Sequence, residues 1–149
     1  MIIEALRDYF SNCPLLSEFS KVINVNYLED TDMYSIEEVP TQPIIKRYLN
    51  GMCKCQYDFI FASKESYSAD IMQNISNSSF YEDFANWIEE QNNIDNLPVL
   101  DNNCEATKLE ITTAGYAFGE DENNLRYQIQ LKLIYMKEWV KWLVLEREE

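Results

Sequence analysis

Carboxylates and thiols are the side chains of this sequence that could do chemistry, because the chain contains no histidine. The absence of imidazole excludes Ser-His and Cys-His nucleophile activation and histidine-centred metal sites. A pair of carboxylates can act as general acid and base. The acidic clusters are more simply interpreted as solvated surface, and they are Glu37-Glu38, Glu89-Glu90 and Glu120-Asp121-Glu122. The last of them lacks the regular acidic spacing of a dedicated calcium loop.

The four cysteines, Cys13, Cys53, Cys55 and Cys104, form no Cys-x-x-Cys pair. Cys53 and Cys55 are two residues apart in a predicted strand, so they share one face of it. Without a paired motif or any histidine to complete a usual zinc site, we interpret all four as buried or half-buried thiols. Met1 leads directly into an amphipathic helix pattern without a signal peptide, which predicts a reducing compartment.

The sequence has three glycines, Gly51, Gly115 and Gly119. They cannot form a phosphate loop or a dinucleotide fingerprint, because both need closely spaced glycines before a helix. Together with the missing histidine, this spacing predicts a protein that is not an enzyme and that holds no cofactor or metal ion.

Length and charge restrict the class of protein further. A chain of 149 residues predicts one domain that buries roughly two-thirds of the surface its unfolded chain exposes. The 26 acidic and 12 basic residues give a net charge of −14. Such a surface repels nucleic-acid backbones and anionic membranes and favours solubility or a basic partner. No apolar run approaches the length of a membrane span, so we expect a soluble protein without membrane contact.

The chain is organised around residues 44–63, which predict a long β-hairpin that reverses at Asn50-Gly51. This dipeptide favours a two-residue type I′ turn, since Asn and Gly tolerate the positive φ angles that both central positions need. The second arm alternates between an aromatic face, which needs a cover, and a polar face. The aromatic face consists of Tyr57, Phe59 and Phe61, and the polar face includes Gln56 and Asp58.

Helical spacing predicts the cover for the aromatic face. Residues 80–91 carry apolar side chains at i, i+4, i+7 and i+8, and residues 2–12 form a second amphipathic stripe that ends before Pro14. A short helix capped by Ser68 is predicted between the hairpin and the main helix, with residues 77–79 capping the main helix. The main helix would bury Phe80, Phe84, Trp87 and Ile88.

Strand-forming composition and period-two patterns predict four more strands around the hairpin. They cover residues 21–28, 33–39, 108–118 and 125–136. Residues 92–103 predict a loop, and residues 137–149 form an amphipathic tail that either packs on its own core or docks on a neighbour. These elements predict an α+β fold, with a mixed or antiparallel sheet, a long hairpin and helices packed on one face. One domain would cover residues 1–136, followed by the tail.

Longer stretches of the sequence carry a family resemblance. They are MIIEALRDYFSNCPLL, YSIEEVPTQPIIKRYLNG, QYDFIFASKESYSADIMQNISNSSFYEDFANWIEEQN, and the pair TTAGYAF and RYQIQLKLIY. Together they resemble the minor capsid or tail terminator proteins of tailed bacteriophages from Gram-positive hosts. The resemblance implies a tail terminator of the lambda type, an α+β subunit that forms a hexameric ring on the tail tube. Such a ring stops tube polymerisation, joins the head connector and passes DNA through its lumen, which places the protein in the virion and, during assembly, in the host cytoplasm.

In such a ring, the turns and the tail are candidate contacts with the next subunit or the tail tube. The candidates are Lys46, Arg47, Asn50, Gly51, Lys54, Glu120, Asp121, Trp139 and Trp142. We expect Lys46, Arg47 and Lys54 to face acidic residues such as Glu120 and Asp121 of the neighbour, because a head-to-tail ring needs two complementary patches. Ordinary surface loops are the alternative interpretation. Two other functions stay open, a neck or head-completion protein and an acidic DNA mimic that inhibits a host nuclease.

Overall fold

Two helices and six strands make up the described part of an α+β fold, which confirms the predicted fold class. The computed structural model describes residues 1–16, 23–25, 33–66, 71–101, 103–119 and 124–138. The helices are α1, Ile2–Ser11, and α2, Ile71–Asn93. The strands are β1 Ile23–Val25, β2 Met33–Val39, β3 Ile44–Arg47, β4 Met52–Ser66, β5 Cys104–Gly119 and β6 Asn124–Glu138. Within these ranges, neither helix has the length and apolar character needed to cross a membrane.

The sheet is built around β4, which pairs with other strands on both of its sides. The strand order is β1-β2-β4-β6-β5. β2 and β3 both pair with the side of β4 that faces away from β6. β3 pairs with the first residues of β4 and β2 with its later residues. β1 runs parallel to β2, and the other pairs are antiparallel. β4 and β6 pair from Met52 opposite Glu138 to Ser66 opposite Asn124. The β3–β4 turn therefore lies at one end of the sheet, and the last residue of β5 and the first residue of β6 lie at the other.

The predicted hairpin is present, but its turn is not of type I′. Tyr48 donates its N–H to the carbonyl of Met52 at 2.8 Å, which leaves Leu49, Asn50 and Gly51 as a three-residue loop. Gly51 donates its N–H to the Tyr48 carbonyl at 3.1 Å and has a φ of 89°, whereas the φ of Asn50 is not positive. This is a type I turn followed by a left-handed glycine. The two-residue prediction is wrong because Asn50 instead closes the loop with its side chain, which accepts the Met52 N–H at 3.1 Å.

Both helices cover the aromatic face of β4, as predicted. Phe84 of α2 stacks on Phe61, with 4.6 Å between the ring centroids. The Phe10 ring of α1 lies 5.5 to 5.9 Å from the rings of Phe59, Phe61 and Phe84. All four rings are fully buried. Large aromatic side chains contribute much of the free energy of a core of this kind, because each removes a large apolar area from water.

The main helix begins earlier than predicted. α2 is continuous from Ile71 to Asn93, so residues 77–79 lie inside the helix and do not cap it. Ser and Asn have lower helix propensity than Ala, but they do not break a helix as Pro does. The prediction of two helices separated by a cap is therefore wrong, and the predicted cap Ser68 lies outside the described residues.

Three strands are longer than predicted, while β2 has the predicted bounds. β4 runs to Ser66, three residues beyond the predicted hairpin. β5 begins at Cys104, and β6 runs to Glu138, so Lys137 and Glu138 continue the strand instead of starting the tail. Pairing of β6 with both β4 and β5 extends the strand beyond the residues that alternate in sequence. Of the predicted strand 21–28 the structure describes β1, and the tail from residue 139 lies outside the described residues.

A close approach of α2 to β5 requires the glycine at position 115. A Cβ atom built on Gly115 would lie 2.7 Å from the Cβ of Tyr81, closer than such atoms pack. Tyr81 is buried, donates its hydroxyl to the Tyr127 carbonyl at 3.2 Å and shares a 2.7 Å hydrogen bond with the Ser63 hydroxyl. These bonds fix α2 over the part of the sheet that is far from the β3–β4 turn.

Candidate functional site

Five of the predicted contact residues come together around the β3–β4 turn. These five are Lys46, Arg47, Asn50, Gly51 and Lys54. We call residues 45–54 the hairpin tip. The other four candidates lie outside the described residues, and they are Glu120, Asp121, Trp139 and Trp142. The described ends of the strands that flank residues 120–123 lie at the end of β4 opposite the hairpin tip. The predicted pairing of these residues with the hairpin tip is between neighbouring subunits and stays a prediction.

The hairpin tip exposes large apolar side chains. Ile45 is 45% exposed, Tyr48 is 39% exposed and Leu49 is fully exposed at 109%. Removing apolar area from water contributes about 25 cal/mol per Å², so these side chains gain free energy when another surface covers them. Exposed apolar groups with a polar rim are typical of protein contact sites.

Three cations surround these apolar side chains, and none of them forms an ion pair with a described residue. Lys46 and Lys54 lie directly opposite each other on β3 and β4, and like charges in this position destabilise a sheet. The Lys46 ammonium lies 5.2 Å from the centroid of the Tyr48 ring, a favourable cation–π contact. The Arg47 guanidinium lies 3.9 Å from the Cys53 sulfur, a weak acceptor. The hairpin tip therefore keeps an uncompensated positive charge.

Replacing Lys46 by Glu is expected to stabilise the isolated subunit by about 0.2–1 kcal/mol, because a repulsive cross-strand pair becomes attractive. Urea denaturation of a monomeric sample measures this change in the free energy of unfolding. The matched control is Lys108→Glu on β5, which places a negative charge beside Glu110, whose carboxylate lies 3.8 Å from the Lys108 ammonium. A lower stability for Lys46→Glu would contradict the repulsion between Lys46 and Lys54.

Negative charge is concentrated on the exposed side of α2. Glu82, Asp83, Glu89 and Glu90 are all exposed, and the helix contains no Lys or Arg. Glu89 and Glu90 lie near the C-terminal end, where the helix dipole disfavours negative charge. The hairpin tip and the outer side of α2 thus carry opposite charge.

The face of the sheet that the sequence predicts to be polar and wet carries a hydrogen-bonded network that the sequence does not predict. Arg126 on β6 reaches Glu37 on β2, with 2.7 Å between Nη2 and Oε2. Arg126 also donates its Nε–H to Gln128 at 2.8 Å, and Gln128 donates to the Tyr116 hydroxyl. Ala62 lies on β4, between the strands that carry Glu37 and Arg126, and is fully buried. No local pattern could pair two side chains that are 89 residues apart in the chain.

Three cysteines lie on the helix-covered face at the hairpin end of the sheet. Cys53 and Cys104 flank Lys137 of β6, and Cys55 is two residues along β4. All are free thiols, and the described residues include no group of three or more His, Cys, Asp or Glu side chains that could hold a metal ion. Burial raises the pKa of the Cys55 and Cys104 thiols, although Lys137 acts in the opposite direction. A raised pKa leaves less thiolate, which is the reactive form.

We expect the thiols of the folded protein to react slowly with Ellman's reagent at mildly alkaline pH and rapidly once guanidinium unfolds the chain. Cys13, Cys53 and Cys55 are each 2% exposed and should react slowly, whereas the partly exposed Cys104 should react before them. Mass spectrometry of the labelled peptides gives the order, and the unfolded chain is the control. Labelling of Cys55 at the rate of the unfolded thiol would contradict its burial.

The pKa values of two tyrosines predict how the free energy of unfolding changes at alkaline pH. Burial raises the pKa of Tyr57 and of Tyr135 to about 12, from an ordinary value of 10.0. Because the folded chain holds these protons more tightly, the stabilisation is complete below pH 10 and is lost as the pH rises towards 12. Urea denaturation should show the free energy of unfolding falling across this interval, and the fall should be smaller in Tyr135→Phe. A constant free energy across the interval would contradict the raised pKa values.

The hairpin tip combines exposed aliphatic and aromatic groups with cations that have no acidic partner among the described residues. Such a surface suits binding to an acidic and partly apolar protein surface. No protein-family model matches this chain, and no curated protein matches it.

Proposed function

We propose that this protein is a structural subunit of a tailed-bacteriophage virion. Its copies form a ring at the tail end or head–tail joint, which terminates the tail tube and joins it to the head connector. The observation that carries the proposal is the hairpin tip, a cationic and apolar surface on a chain with a net charge of −14. The resemblance of the sequence to tail terminator proteins supports the ring. The protein would act in the virion and pass through the host cytoplasm during assembly.

A ring forms when subunits bind head to tail through two different surfaces. The hairpin tip suits one of these surfaces, because its cations form no ion pair within the described part of their own chain. Copies of the same chain offer acidic surfaces, such as the outer side of α2, to that tip. The excess of carboxylates also suits a conduit for DNA, since carboxylates repel phosphates and do not hold the DNA that passes.

Multi-angle light scattering tests the proposal by measuring the mass of the protein alone and with assembled tail-tube protein. We expect a hexameric ring, either free in solution or on the tube end, and electron microscopy should show tubes capped at that end. Unassembled tube protein is the control, because a terminator recognises the finished end. A protein that stays monomeric and ignores the tube at every protein and salt concentration would overturn the proposal.

A neck or head-completion protein is the closest alternative and would use the same hairpin tip as its contact. Such a protein binds the connector at the head and not the end of the tail tube. The same mass measurement, with connector protein in place of tube protein, separates the two functions. Binding to the connector alone would favour the neck protein.

A DNA mimic is the alternative favoured by the acidic outer side of α2. From Glu82 to Glu90 this stripe spans about 12 Å at 1.5 Å per residue. Duplex DNA of that length carries about seven phosphate charges, against four carboxylates on the helix. Mimicry predicts inhibition of a restriction nuclease that added salt relieves and that Glu89→Gln/Glu90→Gln weakens. Absence of inhibition at low salt would overturn this alternative.

A further inference from the structure

We infer that the hairpin tip of one copy binds a groove between α1 and residues 94–101 of the next copy. The inference rests on the proposed function, because it names the contact that would hold the ring together. One wall of the groove belongs to α1 and the other to the chain that follows α2. The walls include Ala5, Asp8 and Tyr9 on α1, and Asn96, Leu97 and Val99 on the other side.

Hydrogen bonds hold the two walls of the groove in place. Tyr9 donates its hydroxyl to the Asn96 carbonyl at 2.8 Å, which ties the walls together. The Asn96 side chain donates to Gln91 of α2 at 2.6 Å. The N-terminal ammonium of Met1 lies 3.5 Å from the carboxylate of Asp101 at the end of the segment. The groove is therefore preformed, and a partner binds it without having to order it.

The groove and the hairpin tip present the two most exposed large apolar side chains of the described chain. These are Leu49 at the tip, which is 109% exposed, and Val99 at the groove, which is 89% exposed. The groove has a volume of about 440 Å³. A closed cavity of about 150 Å³ already accommodates benzene, so the groove has room for the Leu49 side chain and part of the Tyr48 ring. Seating Leu49 beside Val99 would remove both from water at once.

The charges of the two surfaces also favour binding of the hairpin tip to the groove. Asp8 lines the groove and Asp95 is exposed beside it, and neither carboxylate forms an ion pair with a residue in the described ranges. Arg7 is the one cation of α1, and it does not line the groove. Lys46 and Arg47 of the hairpin tip lie within three residues of Leu49, so a seated Leu49 brings positive charge close to these carboxylates. Lys46, which faces Lys54 within the tip, thus acquires an acidic partner in the neighbour.

The two surfaces lie on different parts of the subunit, as a head-to-tail assembly requires. The hairpin tip belongs to the sheet edge that contains β3. The segment that forms the groove leads into β5 at the other edge, where the Cys104 N–H donates to the Asp101 carbonyl at 2.8 Å. β4 and β6 separate the two edges. Each copy can therefore offer its tip to one neighbour and its groove to another.

Pairing of sheet edges is the other way in which two copies could join, and β3 and β5, the edge strands next to the tip and the groove, oppose it. β3 has only four residues and follows two prolines. β5 shifts register against β6 at three places, between Ala106 and Lys108, between Ile111 and Thr113, and between Thr113 and Tyr116. Irregularities of this kind blunt an edge against the addition of another strand. Contact through the groove needs no such pairing.

Charge reversal on each surface, followed by charge exchange, tests the contact. Lys46→Glu/Arg47→Glu reverses the tip, Asp8→Lys reverses the groove, and the combined variant exchanges the two charges. Asp8 lies in the last turn of α1, where a cation suits the helix dipole, so Asp8→Lys should leave the fold intact. Lys108→Glu is the matched control, since it reverses an exposed cation of β5 that belongs to neither surface.

Sedimentation velocity at low salt measures the association of each variant, alone and with assembled tail-tube protein, after circular dichroism shows that the variant is folded. We expect either one-sided reversal to lower the association constant by roughly a hundredfold, because like charges then meet. The charge exchange should restore most of the association, and Lys108→Glu should leave it unchanged. Leu49→Asp should weaken association as strongly as the reversals, since the groove then receives a carboxylate.

The outcomes separate this contact from the function on which it rests. A ring that forms normally with the reversed tip would overturn the contact and leave the proposed function standing. A wild-type protein that assembles neither alone nor on the tube would overturn both. Folded variants that stay dissociated even after the charge exchange would also overturn the contact, because its charge pairing is then incorrect.

Discussion

Phe10→Ala is expected to lower the free energy of unfolding by about 3–5 kcal/mol, which is the range for removing a buried phenylalanine. Phe10 is fully buried, and its ring lies 5.1 Å from Tyr9 and 6.3 Å from Trp87, measured between centroids. It also contacts the aromatic rings of β4 and of α2. No neighbouring side chain can fill the space that it leaves, because these rings are held by two helices and the sheet.

Urea and thermal unfolding of Phe10→Ala measure the effect, which corresponds to a fall of roughly 10 °C in Tm for a chain of this size. Leu49→Ala is the control, since it also removes a large apolar side chain but from a fully exposed position. It should change stability by less than about 0.5 kcal/mol. A loss below about 1 kcal/mol in Phe10→Ala would mean that α1 does not share one core with α2 and the sheet.

Local patterns in the sequence were sufficient to predict the elements of this core. The alternation after Asn50-Gly51 placed the phenylalanines of β4 on one face, and the helical spacing at Phe84 identified the element that covers them. The turn itself was predicted wrongly, because the Asn50 side chain competes for the Met52 N–H and the choice between turns of two and three residues depends on that bond. The extra length of α2 was also missed, since propensity alone does not show where packing continues a helix.

The candidate site was predicted in part. The cations of the hairpin tip lie next to a recognisable turn signal, so their position on the strand ends beside an exposed turn follows from sequence. The groove that contains Asp8 and Val99 does not follow, because it forms where α1 meets a segment roughly 90 residues later in the chain. Leu49 carried a usable signal, because it is an aliphatic residue in a tight turn and has no core to enter. Val99 carried none, since Leu97 and Leu100 of the same segment pack against the core.

The ion pair between Arg126 and Glu37 is another feature that only the fold reveals. The side chains of Arg126 and Glu37 are 12% and 24% exposed, and the hydroxyl of Ser35 donates a second hydrogen bond to Glu37 at 2.8 Å. The pair can form because the strand between them carries Ala62 at that point, whose methyl group leaves room for the guanidinium to cross. A larger side chain there would separate the charges. The short side chain of Ala62 thus lets the long side chain of Arg126 form an ion pair that holds β2 to β6 across β4.

Arg126→Met is therefore expected to lower the free energy of unfolding by about 2–3 kcal/mol, because it leaves the Glu37 carboxylate largely buried without its counter-ion. Glu37→Met/Arg126→Met should lose less than the two single variants combined, and the difference measures the coupling between the side chains. Lys108→Met is the control, since its pair with Glu110 is exposed and should contribute under about 1 kcal/mol. Additive losses in urea denaturation would show that the pair does not join the two strands. A coupling of about 1 kcal/mol or more would show that Arg126 and Glu37 stabilise each other and so hold β2 to β6 across β4.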